Sequence, residues 1–352
     1  SRDAYIIINL AAMTASAPLA FNLLSRNVNR YSAMFGTAVF VMSPMSVYSV
    51  YRFSPYWIVA FLFIALVYAY SSFRETGSKK SAVAMVASIF LLPFFHVLTF
   101  YGIAAFFAAA ALDARKTARN LKGAGWLFFA VAAAAAGSCL FNLSHLVVFR
   151  TEIDLISAPS TARLGVYQMF PGGNAEFLSY CLKVMPNLFM SFVSDNAFTA
   201  AFIGVLFVVG AVGLTARGSN GAMFVLLGVA ACSVLTITNA LNHSRFDGYP
   251  MSYRHLQMMS FFFVYNVFFA LDAIGRLFSA GKGFSRSVLC FIVMFVFAAN
   301  LPGFFGRLRS PDMTSAMRHV YENVREYDGI IPGNIYFHNE YHTHFLSQKV
   351  QP

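Results

Sequence analysis

The sequence predicts an all-α polytopic membrane protein: about ten transmembrane helices, an amphipathic interfacial helix and the start of a small outward α/β tail. Three observations lead there. Of 352 residues, 58% are hydrophobic and 11% charged, where a soluble domain carries roughly 25% charged residues. Apolar windows of about 18–20 residues recur along the chain, the length needed to cross a bilayer as a helix. Thirteen of the 25 basic residues fall in every second connection between those windows.

The windows run at about 4–24, 32–50, 56–73, 81–94, 97–112, 124–145, 198–215, 222–241, 256–275 and 287–305. The fourth and fifth are short. They meet at Pro93-Phe94-Phe95-His96, which reads as a tight turn near one membrane face. One set of alternate loops carries Arg26 and Arg30, then Arg74, Lys79 and Lys80, then Arg115, Lys116, Arg119 and Lys122, then Arg217, then Arg276, Lys282 and Arg286. These are thirteen of the 25 basic residues. Positive charge in short loops marks the cytoplasmic side, so the other connections, 51–55, 95–97, 146–197, 242–255 and the tail after about 306, face outward. The net charge of +11 therefore orients helices and does not point to nucleic acid. Residues 1–305 read as the transmembrane domain and 306–352 as an outward soluble α/β tail.

Within 146–197, Pro171-Gly172-Gly173-Asn174 is a turn and cap signal. After it Phe177, Leu178, Cys181, Leu182, Met185, Leu188 and Phe189 recur at helical spacing, which predicts an amphipathic helix lying in the interface. In the tail, TSAMRHVYENVREYDG reads as a soluble helix and NIYFH as a strand. Cys139, Cys181, Cys232 and Cys290 are scattered without a CxxC, so no disulfide framework or zinc site is indicated. The chain begins at Ser1 with no signal-peptide pattern and ends at Pro352 in mid-pattern. It is expected to lack its natural start.

Ionisable groups at helix mouths are costly, which makes them functional candidates. The outward connections collect Arg52 and Tyr56, His96, Lys183, and the run Asn242 to His255 with Arg245, Asp247, Tyr253, Arg254 and His255. Each has a plain structural reading beside the functional one. Arg52 could be a snorkelling anchor, His96 a helix-end residue bonded to a carbonyl, Lys183 a lipid-phosphate contact and Asp247 a turn former. The 243–255 cluster exceeds the needs of a connector. Arginine binds phosphate through a bidentate fork, so these residues suggest a phosphate or pyrophosphate group held at the outer face. His338, His342 and His344 match no metal-binding spacing.

Taken together these stretches resemble the membrane glycosyltransferases of the C-type superfamily, in particular the protein-mannosyltransferase-like and aminoarabinose-transferase-like branch that uses polyprenyl-phosphate sugars. Ser43-Pro44, Tyr48 and Pro55-Tyr56 fit that family's helix end and outward turn. Phe94-Phe95-His96 echoes its Thr-His-Tyr turn, and Ser252-Tyr253-Arg254-His255-Leu256 its late Arg-Tyr-Leu element in altered order. The tail MRHVYENVREYDG resembles the family's soluble helix. Two departures stand out. Arg52 occupies the position of the family's glutamate in the outward turn. The family's main catalytic acid lies just after its first membrane helix, a region expected upstream of Ser1, and Asp3 does not take its place.

The resemblance implies transfer of a sugar from a polyprenyl-phosphate donor to a lipid, glycan or protein acceptor at the extracytoplasmic face of a bacterial inner or plasma membrane. It implies Arg52, Tyr56, His96, Lys183, Arg245, Tyr253, Arg254 and His255 as donor-phosphate and substrate contacts. No catalytic residue is assigned. No cofactor follows from the residues; a divalent metal ion is the one the family reading admits. Membrane lipids and the donor are the expected partners. The alternative is a multi-pass transporter or flippase of a lipid-linked or anionic substrate, or a non-catalytic relative.

Overall fold

The computed structural model describes residues 2–51, 55–96, 99–121, 136–138, 197–217, 221, 223–230, 257–258, 260–278 and 284–307. Among them every element is helical and none is a strand. In chain order they are α1 (Arg2–Ser25), α2 (Arg30–Met42), α3 (Pro44–Tyr51), α4 (Tyr56–Thr76), α5 (Lys79–Phe95), α6 (Thr99–Leu121), α7 (Ala197–Arg217), α8 (Ser260–Phe278) and α9 (Val288–Arg307). A 3₁₀ turn at Phe284–Ser287 leads into α9. The chain divides into two compact units, Ser1–Asn300 and Leu301–Pro352. The described residues of the second unit are 301–307, which are helical.

Three described helices are long and apolar enough to cross a membrane: Ala4–Ser25, Tyr56–Thr76 and Ser260–Phe278. Shorter apolar helices occupy Thr99–Leu112, Ala201–Ala216 and Phe284–Ala299. The windows read at 4–24, 56–73, 81–94, 97–112, 198–215, 256–275 and 287–305 each coincide with one helix to within a few residues, save that α6 continues to Leu121. The window at 124–145 lies outside the described residues except for 136–138, and that at 222–241 is helical over 223–230. The interfacial helix and the α/β tail lie outside the described residues.

One window differs from its reading. The span at 32–50 is two helices, α2 and α3, broken at Ser43. Pro44 has no N–H and cannot bond the carbonyl four residues back, and it drives the preceding residue out of the helical region. Ser43 accordingly sits at φ −58°, ψ 147°. The Phe40 carbonyl left over lies 2.5 Å from the Ser46 hydroxyl, which donates to it. Ser43 Oγ accepts the Ser46 N–H at 3.3 Å, capping the new helix.

The other ends have ordinary causes. Asn29 caps α2, its Oδ1 accepting the Tyr31 N–H at 3.3 Å. Gly77, at φ 66°, closes α4 by donating to the Phe73 carbonyl, a left-handed conformation that glycine adopts without a side-chain clash. α5 ends at His96, and residues 96–98 carry the chain into α6.

The core is built around α8. Every residue from Ser260 to Leu271 is buried, and so is Asp272. A helix that is apolar on all sides belongs inside a bundle. Phe261, Phe262, Phe263, Phe268 and Phe269 fill the space towards its neighbours. Phe40 meets both Trp57 and Phe261 edge-on, at 5.3 and 5.5 Å between ring centres. Phe224 lies flat on Tyr265 at 3.8 Å. On the α7 side Gly210 lets the helices approach: a Cβ there would stand 1.9 Å from the Asn266 carbonyl oxygen. Small residues at such crossings allow backbone-to-backbone packing.

Candidate functional site

Because α8 is sheathed in apolar side chains, each of its polar residues must find a partner inside the bundle. Asn266, at mid-helix, donates to the Phe224 and Phe262 carbonyls at 3.1 and 2.7 Å; two larger groups of partners gather at the ends.

The first end holds the start of α8, the α2–α3 break, the start of α4 and the end of α5. Ser46 Oγ lies 2.9 Å from Gln257 Oε1 and accepts from Ser43 Oγ at 2.8 Å. Trp57 Nε1 donates to the Ser46 carbonyl at 2.9 Å. Asn9 of α1 donates to the Val50 carbonyl at 3.4 Å. Beside this network the rings of Tyr56 and His96 pack at 5.5 Å with a 44° tilt. The Tyr56 side chain is buried, because α4 begins at that residue and turns its first side chain towards the end of α5. His96 is the C-cap that follows α5. Its N–H donates to the Leu92 carbonyl, and its own carbonyl accepts from the Thr99 N–H and hydroxyl at 3.1 and 2.6 Å. It is the one histidine among the described residues.

The opposite end is ionic. The Asp272 carboxylate accepts the Asn29 N–H at 3.1 Å, the Ser32 hydroxyl at 2.9 Å, and Arg276 Nη2 and Nε at 2.9 and 3.2 Å. It also accepts from Arg286 Nη2. Ser32 Oγ and Ser287 Oγ are 2.9 Å apart. Arg276 Nη2 donates further to the Asn27 carbonyl at 3.1 Å, and the Asn27 amide donates to the Tyr265 hydroxyl at 2.5 Å. One carboxylate thus fastens the start of α2, the end of α8 and the 3₁₀ turn before α9. A negative charge at the start of α2 also suits the positive end of that helix dipole. Nearby in sequence, Arg26 pairs with Glu75 at 2.7 Å, joining the 26–30 and 74–80 loops.

The described connections thus fall into two groups, one at each end of the helices. The basic loops at 26–30, 74–80 and 276–286 are joined by Arg26–Glu75 and the Asp272 contacts. The 55–56 and 96 positions meet in the Tyr56–His96 pair.

Of the residues singled out from sequence, the structure brings Tyr56 and His96 together. Arg52, Lys183, Arg245, Tyr253, Arg254 and His255 lie outside the described residues, as do His338, His342 and His344. His96 stands at a helix end, as the C-cap of α5. Among the described residues the densest charged cluster surrounds Asp272, near the end of α8. The signal was a lone acid in an apolar window with an arginine four residues on. The Ser46–Gln257 contact was missed, and no short-range pattern marks it, since 211 positions separate the two.

No group of three or more His, Cys, Asp or Glu among the described residues could hold a metal ion. Compared with known protein families, curated proteins and solved structures, the chain matches none.

Proposed function

We propose that the chain is a multi-pass membrane protein that holds a polyprenyl-phosphate-linked sugar at its extracytoplasmic end and transfers the sugar to an acceptor. The membrane reading draws on the three span-length helices. It draws also on apolar side chains that face away from the bundle, such as Ile7 on α1 and Val205, Val208 and Val212 on α7, at 58–66% exposure. In water these faces would be costly; against lipid they are at home.

The observation that carries the functional reading is the Tyr56–His96 pair. Two residues chosen from separate connections for their chemistry lie ring against ring at one end of the helices. Arg52 follows α3 directly in sequence, and Arg254 and His255 lie three and two residues before Gln257, whose amide lies in the polar network at that same end. Cations there would stabilise a leaving phosphate, the larger of the needs in such a transfer. The base that takes the acceptor proton is not assigned to a residue.

The transporter alternative draws on Asp272, the one described acid buried in a span-length helix. Its oxygens are occupied by five donors from the protein, which suits a fastening role better than a substrate relay.

The test is binding of a polyprenyl phosphate to the purified chain in lipid nanodiscs. Arg254→Ala is expected to weaken binding about tenfold, the value of one charge-assisted contact. Unchanged affinity with the protein still folded sinks the assignment.

A further inference from the structure

The basic end carries a surface that the proposed transfer does not use. Asp272 supplies one negative charge to two guanidinium groups, leaving the knot with a net charge of +1. Arg286 engages Asp272 through Nη2, while its Nε has no partner among the described residues. The Arg276 side chain is 37% exposed, so one face of it stays open. Around this charge stands an apolar rim. Leu277 and Phe278, which follow Arg276, are both 82% exposed. Phe284, two residues before Arg286, is 49% exposed and takes the edge of Tyr31, itself 44% exposed, at 6.0 Å.

We infer that this end binds the headgroup of an anionic phospholipid, with its phosphate on Arg276 and Arg286 and its acyl chains along Leu277, Phe278 and Phe284. The inference rests on the membrane reading above. A partly buried excess positive charge is costly unless an anion completes it. Basic groups between helices at a membrane surface are where acidic lipids supply that anion. The apolar rim distinguishes a lipid from a free phosphate, because an inorganic ion gains nothing from exposed leucine and phenylalanine. Aromatic side chains at headgroup depth anchor in the same layer. A phosphate here would meet the exposed face of the Arg276 guanidinium beside Arg286 and leave the Asp272 contacts in place.

The experiment uses the full chain in nanodiscs of phosphatidylcholine with a minority of phosphatidylglycerol, counting lipid retained after extraction by mass spectrometry. The native chain is expected to retain phosphatidylglycerol selectively. Arg276→Gln with Arg286→Gln should lower that selectivity, about fivefold for each arginine. Lys79→Gln with Lys80→Gln removes equal charge from the same end, away from the knot, and should leave it unchanged. Equal loss in both pairs, or no selectivity in the native chain, overturns the site.

If the arginine variants fail to fold, Leu277→Gln with Phe278→Gln decides, since both side chains are exposed: retention must fall, and unchanged retention overturns the proposal. Displacement of the lipid by inorganic phosphate alone would reassign the site to a free anion. Polyprenyl-phosphate affinity, measured in parallel, should not change in the arginine variants. A fall there would locate the donor at this end and overturn both readings. A chain that does not enter the bilayer also overturns both.

Discussion

The two ends of the helices solve one problem in opposite ways. Both must satisfy polar groups on α8 within apolar packing. At the Gln257 end the solution is neutral: hydroxyls, an amide, an indole N–H and backbone carbonyls share hydrogen bonds. At the Asp272 end it is ionic, with one carboxylate between two arginines. In a neutral network the loss of one member strands a buried polar group at a cost of about 1–3 kcal/mol. An ionic knot is asymmetric. Its formation is costly, and removing one partner strands the other charge. The ionic end is therefore the better fastener and the more fragile one, while the neutral end has more freedom to rearrange because no charge is stranded.

The largest effect should come from Asp272→Ala. It would leave two guanidinium groups facing each other and would uncap α2, whose Asn29 N–H bonds to the carboxylate. The expected loss is about 3–5 kcal/mol, the scale for breaking a buried pair from one side. Most of it should come from the Arg286 arm, whose side chain is 17% exposed, because the 37% exposed Arg276 is partly screened by water. Denaturant or thermal unfolding in detergent measures it. A shift below about 1 kcal/mol would mean that the knot is a surface pair, and the contrast between the ends would fail.

How much of this could be read from sequence follows the range of each interaction. α1, α4 and α8 were legible because twenty apolar residues in a row are a local signal. That the stretches around Arg26, Arg74, Arg276 and Arg286 share a charge pattern was legible, since charge placement is again local. The α2–α3 break was not, because a hydropathy average runs smoothly across Ser43-Pro44, although the proline itself held the information. Within the knot, Arg276 lies four residues from Asp272 and was within reach of a helical-spacing argument. Arg286 lies 14 residues away and Asn29 lies 243 away. Such pairs are set by the way helices pack, which no single window records. Tyr56 and His96 stand between these cases: parity put them on one side, but only packing could put ring on ring.

The middle effect tests the neutral end. Trp57→Phe removes the N–H that donates to the Ser46 carbonyl while keeping an aromatic ring against Phe40. The buried carbonyl loses its donor, which costs about 1–2 kcal/mol. Because no charge is involved, that loss should be the same at low and high salt. A loss as large as that of Asp272→Ala would show that the two ends are equally brittle, and the proposed freedom of the neutral end would have to be abandoned.

The smallest effect should come from Arg26→Gln. Its bond to Glu75 is short, at 2.7 Å, but the two side chains are 27% and 54% exposed. Water competes for both, so the pair is worth about 0.5 kcal/mol. The guanidinium also sits 5.4 Å above the centre of the Tyr68 ring, which adds a contribution of similar size at an exposed site. Salt separates this pair from the knot. Near 1 M salt the screening length falls to about 3 Å, which weakens exposed pairs far more than buried ones. Arg26→Gln should therefore lose much of its effect in high salt and Asp272→Ala should keep its own, both read from unfolding midpoints. If both effects faded together, burial would not be what separates the fastening charge from the orienting one, and the ionic end would be a patch of ordinary surface pairs.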